Sequence, residues 1–444
     1  MFEKEFEKIF DLAKKKDINK FDLILTNEKS VSIKVFRQEI ENFSSSNQAG
    51  IGIRIIKGKQ IGYAYTENFS NKEFERILDE ALENSEVVEE EKEVELKNYR
   101  DIEEEIKIYY PELEEVSVQD KKDVALQMES IPMAFDKRIA AVPYAMYGDT
   151  TKFVKIANSE GLDKEYKSNA AYAFSYCLAR GENMNKSGNY FEIVHNFTDI
   201  NTKRIGEKAS QKALNLLGAK NVESGQYPII FHHNEAATML QTFASIFSAK
   251  KVQEGQSLLK GKLDSNIANN NISIIDDALY KSGFSTRPFD AEGYPSQTTN
   301  LIKDGVLSSY IHNTQTAQKA GVKSTGNATR SYKSAVEVSS TNMFFAKGNK
   351  KKSELYKMFP KSIEIVSLAG MHSGCNPISG DFSLSAEGFV CNEDGRDYPV
   401  HNFTISGNFL QMLKNINAVA DDLKFNMQNF GSPSVLVESL SISG

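Results

Sequence analysis

The spacing of apolar residues predicts an N-terminal half in which helices alternate with strands. Apolar residues three and four positions apart predict an amphipathic N-terminal helix and helices over 71–84, 120–135 and 201–217, the last one ended by Gly218. Alternating patterns predict strands over 21–26, 31–36, 51–56, 61–65, 139–147, 152–157, 167–178 and 189–195. Gly148 and Asp149 are predicted to form a hairpin turn.

Residues 226–444 are predicted to form a β-dominated domain with a few helices. Its short apolar runs are separated by turns rich in Gly, Asn and Ser, and they predict strands over 272–275, 301–310, 336–345, 363–368, 382–385, 398–405 and 435–442. A last helix is predicted over 409–419. The expected fold class is α+β, with mixed sheets and packing helices in the N-terminal half.

Changes in composition predict four segments. Residues 1–85 are expected to form an α+β domain, and residues 86–116 an exposed connector, because Glu dominates the stretch from 86 to 105. Residues 117–225 are expected to form a β-rich segment that packs with the N-terminal domain, and residues 226–444 the β-dominated domain.

One strand and the helix after it carry the residues of greatest chemical interest. Residues 227–231 are apolar, and Met239 and Phe243 follow at helical spacing. Asn234 is predicted to cap this helix, and Glu235 in the first turn suits the positive end of the helix dipole. His232 and His233 stand just before it, which makes zinc binding the first chemistry to consider.

Charge and cysteine content restrict the function. The 444-residue chain has a formal net charge of −7, which disfavours a large nucleic-acid-binding surface. Its three cysteines are odd in number and form no CxxC pair, as expected for a reducing compartment. The N-terminus lacks the apolar core of a signal peptide, and no apolar run approaches the roughly 18 residues that span a bilayer. A soluble cytoplasmic protein is expected.

Seven short motifs, in family order along nearly the whole chain, resemble those of the TldD/PmbA family, which includes proteins once called modulators of DNA gyrase. They are AGIGIR (49–54), GQSLLKGKL (255–263), RPFDAEGYP (287–295), STGNATR (324–330), SGCNPISGDFS (373–383), TISGN (404–408) and DDL (421–423). The resemblance implies two branches. TldD-like members are zinc metalloproteases with His-Glu-x-x-x-His at the start of a helix and a cysteine near the C-terminus as third ligand. PmbA- or TldE-like members lack these ligands and pair with a TldD-like subunit, and the two enclose a cavity that degrades unfolded peptides.

The zinc motif of the family can be compared with this chain residue by residue. Alignment on Glu235 places Asn234 at the first histidine and Met239 at the second, and residues 427–444 contain no cysteine. The resemblance therefore implies the PmbA- or TldE-like branch. It implies no catalytic residue and no zinc in this chain, with zinc expected only in a TldD-like partner.

Two other arrangements of residues would bring chemistry of their own. His232 or His233 could join His372 and Cys375 in an atypical metal site, or Cys375 could act as a nucleophile with His372 as its base. Structural roles account for the same residues, because the two histidines end a strand and cysteine is often a small buried residue.

Two further sets of residues have both a functional and a structural interpretation. Asp290 and Glu292 could serve acid–base chemistry or bind a cation, but they are expected to hold their loop by accepting backbone N–H groups. Gly50, Gly52 and Gly62 do not form GxGxxG, and they predict a hairpin with close backbone packing.

The sequence favours a non-zinc subunit of a peptide-degrading metalloprotease complex, inactive alone, that shapes the chamber, binds the substrate strand and docks a TldD-like partner. Glycine-containing strands at 50–56 and 380–385 could admit a guest strand. The alternative is a self-sufficient homodimeric peptide-binding or scaffold protein without protease activity. Neither nucleic acid nor a membrane is expected as a partner.

Overall fold

The computed structural model describes residues 2–87, 94–102 and 104–444, so part of the expected acidic connector lies outside the described residues. The described strands form three six-stranded sheets and one two-stranded sheet. Parallel pairs, β7 with β14 and β13 with β19, occur in the C-terminal half, whereas every pairing of the first sheet is antiparallel. The α+β fold class is confirmed. No helix in the described part of the chain is long and apolar enough to cross a membrane.

The helices are α1 Glu3–Lys15, α2 Asn71–Val87, α3 Val118–Phe135, α4 Thr202–Asn215, α5 His233–Phe243, α6 Ala249–Gln253, α7 Thr314–Ala320, α8 Lys352–Met358, α9 Met371–Gly374 and α10 Phe409–Lys414. Strands of the N-terminal half are β1 Phe21–Phe36, β2 Glu39–Lys57, β3 Gln60–Thr66, β4 Ile139–Asn158, β5 Asp163–Arg180 and β6 Asn185–Val194. Those of the C-terminal half are β7 Gly225–Phe231, β8 Ile274–Asp277, β9 Thr298–Lys303, β10 Val306–Leu307, β11 Ala328–Thr329, β12 Glu337–Val338, β13 Met343–Phe345, β14 Ser362–Ala369, β15 Asp381–Asn392, β16 Gly395–Asn408, β17 Ile416–Val419, β18 Lys424–Phe425, β19 Phe430–Ser432 and β20 Val435–Ser443.

The first sheet has the order β3-β2-β1-β4-β5-β6 and joins the two expected N-terminal segments into one structure. Its long strands β1 and β4 contribute to two separate apolar clusters. One cluster buries α1 and α2, and the other buries α3 and α4. Each helix pair therefore covers a different end of the same sheet, and β6 forms one of its edges.

The predicted hairpin turn at Gly148 and Asp149 is wrong, because both residues lie in the middle of β4. Gly148 stands opposite Ser32 on one side and Tyr172 on the other. A Cβ atom on Gly148 would lie only 2.5 Å from Cε1 of Tyr172. This glycine makes room for a neighbouring ring and does not turn the chain.

Two other predicted boundaries also differ from the structure. The strands predicted over 21–26 and 31–36 are one strand, β1, whose polar middle pairs with β2 and β4. The helix predicted over 409–419 ends at Lys414, and Ile416–Val419 continues as β17 against β20. Pairing with a neighbouring strand decides the conformation in both places, which the local pattern does not show.

The sheet that contains β7 closes on itself. Its order is β16-β15-β14-β7-β20-β17, and the C-terminal residues of β20 also pair with β16. Closure leaves β7 between β14 and β20 and leaves few unpaired edges. The largest apolar cluster of the described residues packs α5 and α10 against these strands, with Met239, Phe243 and Phe409 fully buried.

Ion pairs with little exposure to solvent connect the first sheet to the C-terminal half. Asp22 and Arg54 are cross-strand partners on β1 and β2, and Arg54 Nε donates to Asp22 at 2.8 Å. From the C-terminal half, Glu292 accepts from Arg54 at 2.9 Å and Arg330 donates to Asp22 at 2.6 Å. These four side chains are at most 3% exposed. Burial alone would raise the pKa of Asp22, but Arg330 and Arg54 hold it below its ordinary value.

The loop around this network has the structural role that was predicted for it. Asp290 accepts backbone N–H groups from Glu292, Tyr294 and Ala328 at 2.9–3.0 Å. Close backbone packing of the glycine hairpin is also confirmed, because a Cβ on Gly52 would lie 2.3 Å from the carbonyl oxygen of Tyr332. The two halves thus meet through backbone contact as well as charge.

Removal of the Arg54 guanidinium, which lies at the centre of this ion-pair network, should destabilise the protein strongly. Arg54→Met leaves the buried carboxylates of Asp22 and Glu292 without their shared cation, and we expect a loss of about 3–5 kcal/mol in the free energy of unfolding. Urea denaturation measures it. Arg76→Met is the matched control, because Arg76 pairs with Glu73 and Glu80 on the exposed face of α2 and should cost under about 1 kcal/mol. Equal losses for the two variants would contradict the assigned role.

Candidate functional site

The strand β7 leads directly into α5 and fixes the side chains at the start of this helix. Ile229, Ile230 and Phe231 are buried between β14 and β20. The helix begins at His233, so the prediction of Asn234 as its cap is wrong. His232 is the N-cap, and its Nδ1 accepts from the backbone N–H of Asn234 at 3.4 Å. Imidazole here satisfies a helix-end donor as the side chain of Asn or Ser does elsewhere.

Two adjoining cavities lie where α5 faces α4 and β6. One, of about 380 Å³, runs along Ser187–Tyr190, and the other, of about 470 Å³, along Tyr190–Val194. They share the lining residues Tyr190, Lys212, His233, Asn234 and Lys424, and we call the combined space the α4–α5 cleft. The first sheet supplies one wall and the C-terminal half the other, so the cleft exists only when both halves are in place.

The part of the cleft along Ser187–Tyr190 is rich in positive charge. Among the described residues that line it, Lys208, Lys212, Arg396 and Lys424 are cationic, and Glu235 is the one carboxylate. Arg396 is already engaged, because it donates twice at 2.8 Å to the buried Glu364. The three lysines form no ion pair with a described carboxylate, and this leaves excess positive charge facing the cleft.

Burial shifts the pKa values of the groups in this cleft. Desolvation raises the pKa of Glu235 to about 7, against the attraction of Lys212, and lowers the pKa of Lys212 to about 8. Desolvation and nearby lysines lower the pKa of His233 to about 3 and hold that of His232 well below its ordinary value. The imidazoles are therefore neutral at pH 7, and Glu235 is close to half protonated.

Asn234 and Met239, which the resemblance aligns with the family's zinc histidines, do not fit a zinc site. Asn234 lines the cleft, whereas Met239 is fully buried in the apolar core. These two side chains therefore face different surroundings in this chain. An amide and a buried thioether are also not the nitrogen, thiolate and carboxylate ligands that zinc takes in proteins.

The other candidate ligands are not brought together. His372 lies exposed in the short helix α9, and Cys375 follows it, bridged to Phe382. Neither lines the α4–α5 cleft, where His232 and His233 lie. Within the described ranges, no three His, Cys, Asp or Glu side chains are placed to hold a metal ion. Burial raises the pKa of Cys375, which weakens it as a nucleophile.

Sequence reasoning missed the lysines of the cleft. Lys208 and Lys212 are four residues apart on α4, which places them on one helix face, and no acidic residue at helical spacing pairs with Lys212. That like-charged pair was the available signal. Lys424 comes from the distant strand β18, and nothing local in the sequence links it to α4.

Comparison with known proteins extends along the chain. Models of the PmbA/TldA metallopeptidase family match residues 21–85 as domain 1, 111–217 as the central domain and 224–444 as the C-terminal domain. The chain is similar to a metalloprotease PmbA homologue of Haemophilus influenzae, with 25% identity over 430 residues, 95% of this chain and 92% of that protein. It is also similar to a metalloprotease TldD homologue of Buchnera aphidicola, with 26% identity over 424 residues, 90% of this chain and 87% of that protein.

The fold has a close counterpart among solved structures. A Thermotoga maritima protein, described as a possible modulator of a DNA gyrase, superposes with a TM-score of 0.92 at 31% identity and covers 100% of both chains. The similarity therefore includes all three parts of the chain in one arrangement.

The raised pKa of Glu235 predicts a pH-dependent cost to folding. Folding favours its protonated form, so stability is full below the ordinary pKa of about 4.5 and is lost as the pH rises through about 7. Relative to Glu235→Gln, the wild type should lose about 1–3 kcal/mol of unfolding free energy between pH 5 and pH 8. Urea denaturation of both proteins across this range measures it, with Glu160→Gln, an exposed residue in the β4–β5 turn, as the charge control. A difference between wild type and variant that does not change with pH would refute the shift.

Proposed function

The chain belongs to the PmbA/TldD metallopeptidase family, and on that basis we propose that it is a non-zinc subunit of a metalloprotease complex that processes unfolded peptides. The observation that carries this proposal is the set of donor atoms at the positions that align with the family's zinc ligands. Asn234 and Met239 replace the two histidines, Met239 belongs to the core, and residues 427–444 contain no cysteine. Without a metal-bound water, Glu235 has no nucleophile to activate.

The proposed role of the chain is to bind the substrate and complete the chamber. The strands at 50–56 and 380–385, which the sequence predicts to pair with a guest peptide, have little unpaired edge. Residues 50–56 pair with both β1 and β3, and Asp381–Leu384 pair with β16 while Cys375 bridges to Phe382. Among the described strands, β6 is an edge strand that borders the α4–α5 cleft. An extended peptide adds to such an edge through main-chain hydrogen bonds.

The proposed partner is a TldD-like zinc subunit, and the proposed setting is the cytoplasm. Relatives described as PmbA and as TldD metalloproteases both match this chain along most of its length, as expected for two subunits built on one fold. The catalytic zinc would belong to the partner.

Metal content and peptide cleavage test the assignment of the chemistry. We expect the purified chain to hold no stoichiometric zinc and to leave an unstructured peptide uncleaved with or without added zinc, because it lacks the three ligands of a catalytic site. Elemental analysis and mass spectrometry of the digest measure both. About one zinc per chain together with cleavage that a chelator abolishes would refute the proposal.

Co-purification tests the assignment of the partner. The tagged chain, co-expressed with a family member from the same source that carries His-Glu-x-x-x-His, should elute with it as a stable complex of equal stoichiometry that cleaves the same peptide. Mutation of the glutamate in the partner's motif is the control, and it should abolish cleavage without loss of the complex. A stable homodimer of this chain that excludes the zinc protein would instead favour a self-sufficient scaffold.

A further inference from the structure

We infer that the α4–α5 cleft binds the C-terminal carboxylate of an extended peptide, which Lys208, Lys212 and Lys424 surround. This inference rests on the proposed function, because it names the end of the peptide that the non-zinc subunit holds. It concerns binding alone and involves no covalent step.

The charge around the cleft fits an anion that the chain itself does not supply. Lys212 is partly buried, with its Nζ 5.4 Å from the ring centre of Tyr190, and Lys208 and Lys424 reach the same cavity from α4 and β18. The buried Glu364 accepts from both Lys352 and Arg396, so that cluster carries one net positive charge and does not neutralise the lysines. A carboxylate among them would form charge-assisted hydrogen bonds in a partly desolvated space.

An unsatisfied polar group provides independent support for a ligand. His233 is 8% exposed and lines both cavities of the cleft. Its Nδ1 is buried and has no hydrogen-bond partner among the described residues. Buried polar atoms are nearly always satisfied in native proteins, so an imidazole nitrogen without a partner in the wall of the cleft is unusual for a residue with a purely structural role.

The open edge of β6 favours a peptide over a free anion as the ligand, and it determines the direction in which the peptide runs. No described strand pairs with the outer edge of β6, and Tyr190–Val194 line one cavity while Ser187–Tyr190 line the other. A peptide paired antiparallel to β6 would pass Val194 first and end beside Ser187, where Lys208 and Lys212 lie. Antiparallel addition therefore brings the peptide's carboxylate to the lysines, whereas parallel addition would bring its ammonium group there.

Peptides that differ only at the C-terminus test this inference. The probe is an unstructured ten-residue peptide, labelled with a fluorophore at its N-terminus and made as the free acid and as the amide. Fluorescence anisotropy with the full-length chain should show the acid binding about tenfold tighter or more than the amide, as expected for a charge-assisted contact. Equal affinities of the acid and the amide would overturn the inference.

Variants of the cleft locate the contact. Lys212→Met and Lys424→Met should each bring the acid-to-amide ratio close to one, while Lys303→Met, at an exposed position of β9, should leave the ratio unchanged. Lys424 is itself exposed, so its variant provides a test even if Lys212→Met perturbs folding. An unchanged ratio in both cleft variants would overturn the assignment.

Competition with inorganic phosphate distinguishes a peptide site from a site for free anions. Phosphate should displace the acid only weakly, because it cannot pair with β6. Full displacement at micromolar phosphate would overturn the peptide assignment. All of these binding measurements use the isolated chain without zinc or a partner. A negative result here would therefore not change the conclusions from the cleavage and co-purification experiments. Negative results in those experiments would likewise not change the conclusion about peptide binding.

Discussion

The buried contact between Arg54, Asp22, Glu292 and Arg330 determines how the two halves of the molecule meet. Each half supplies one acid and one base: Arg54 pairs with Asp22 within the first half, whereas Glu292 and Arg330 of the C-terminal half pair with these two residues across the junction. Arg54 pairs with both carboxylates, and Arg330 reaches across to Asp22. Buried ion pairs contribute little net stability but strongly penalise a misplaced partner. The network therefore acts mainly to specify one relative position.

The α4–α5 cleft depends on that relative position, because its walls come from opposite sides of the same junction. β6 and α4 belong to the first sheet and its helices, while α5 and β18 belong to the C-terminal half. A second ion pair, Lys186 with Glu387 at 2.5 Å, joins β6 directly to β15 beside the cleft. These contacts hold the two walls of the cleft at a fixed separation.

The cleft itself is built at some cost to stability. A buried carboxylate with a raised pKa, a lysine with a lowered pKa and an unsatisfied imidazole all lie within one small volume. Such groups are usually paired in a region that has only a structural role, and their concentration here is typical of a functional site. The apolar core behind them, with Met239 and Phe243 fully buried, compensates for this local cost.

The sequence by itself determined the elements whose signals are local. Amphipathic spacing located α1, α2, α3 and α4. Tertiary structure decided what depends on residues far apart in the chain. Gly148 continues a strand because it pairs with β1 on one side and with β5 on the other, and residues 416–419 pair with β20 instead of continuing the helix. The lysine cluster likewise exists only because α4 and β18, more than 200 residues apart in the chain, face one another across the cleft. A cluster of charges that forms only when distant segments fold together cannot be recognised from a local sequence pattern.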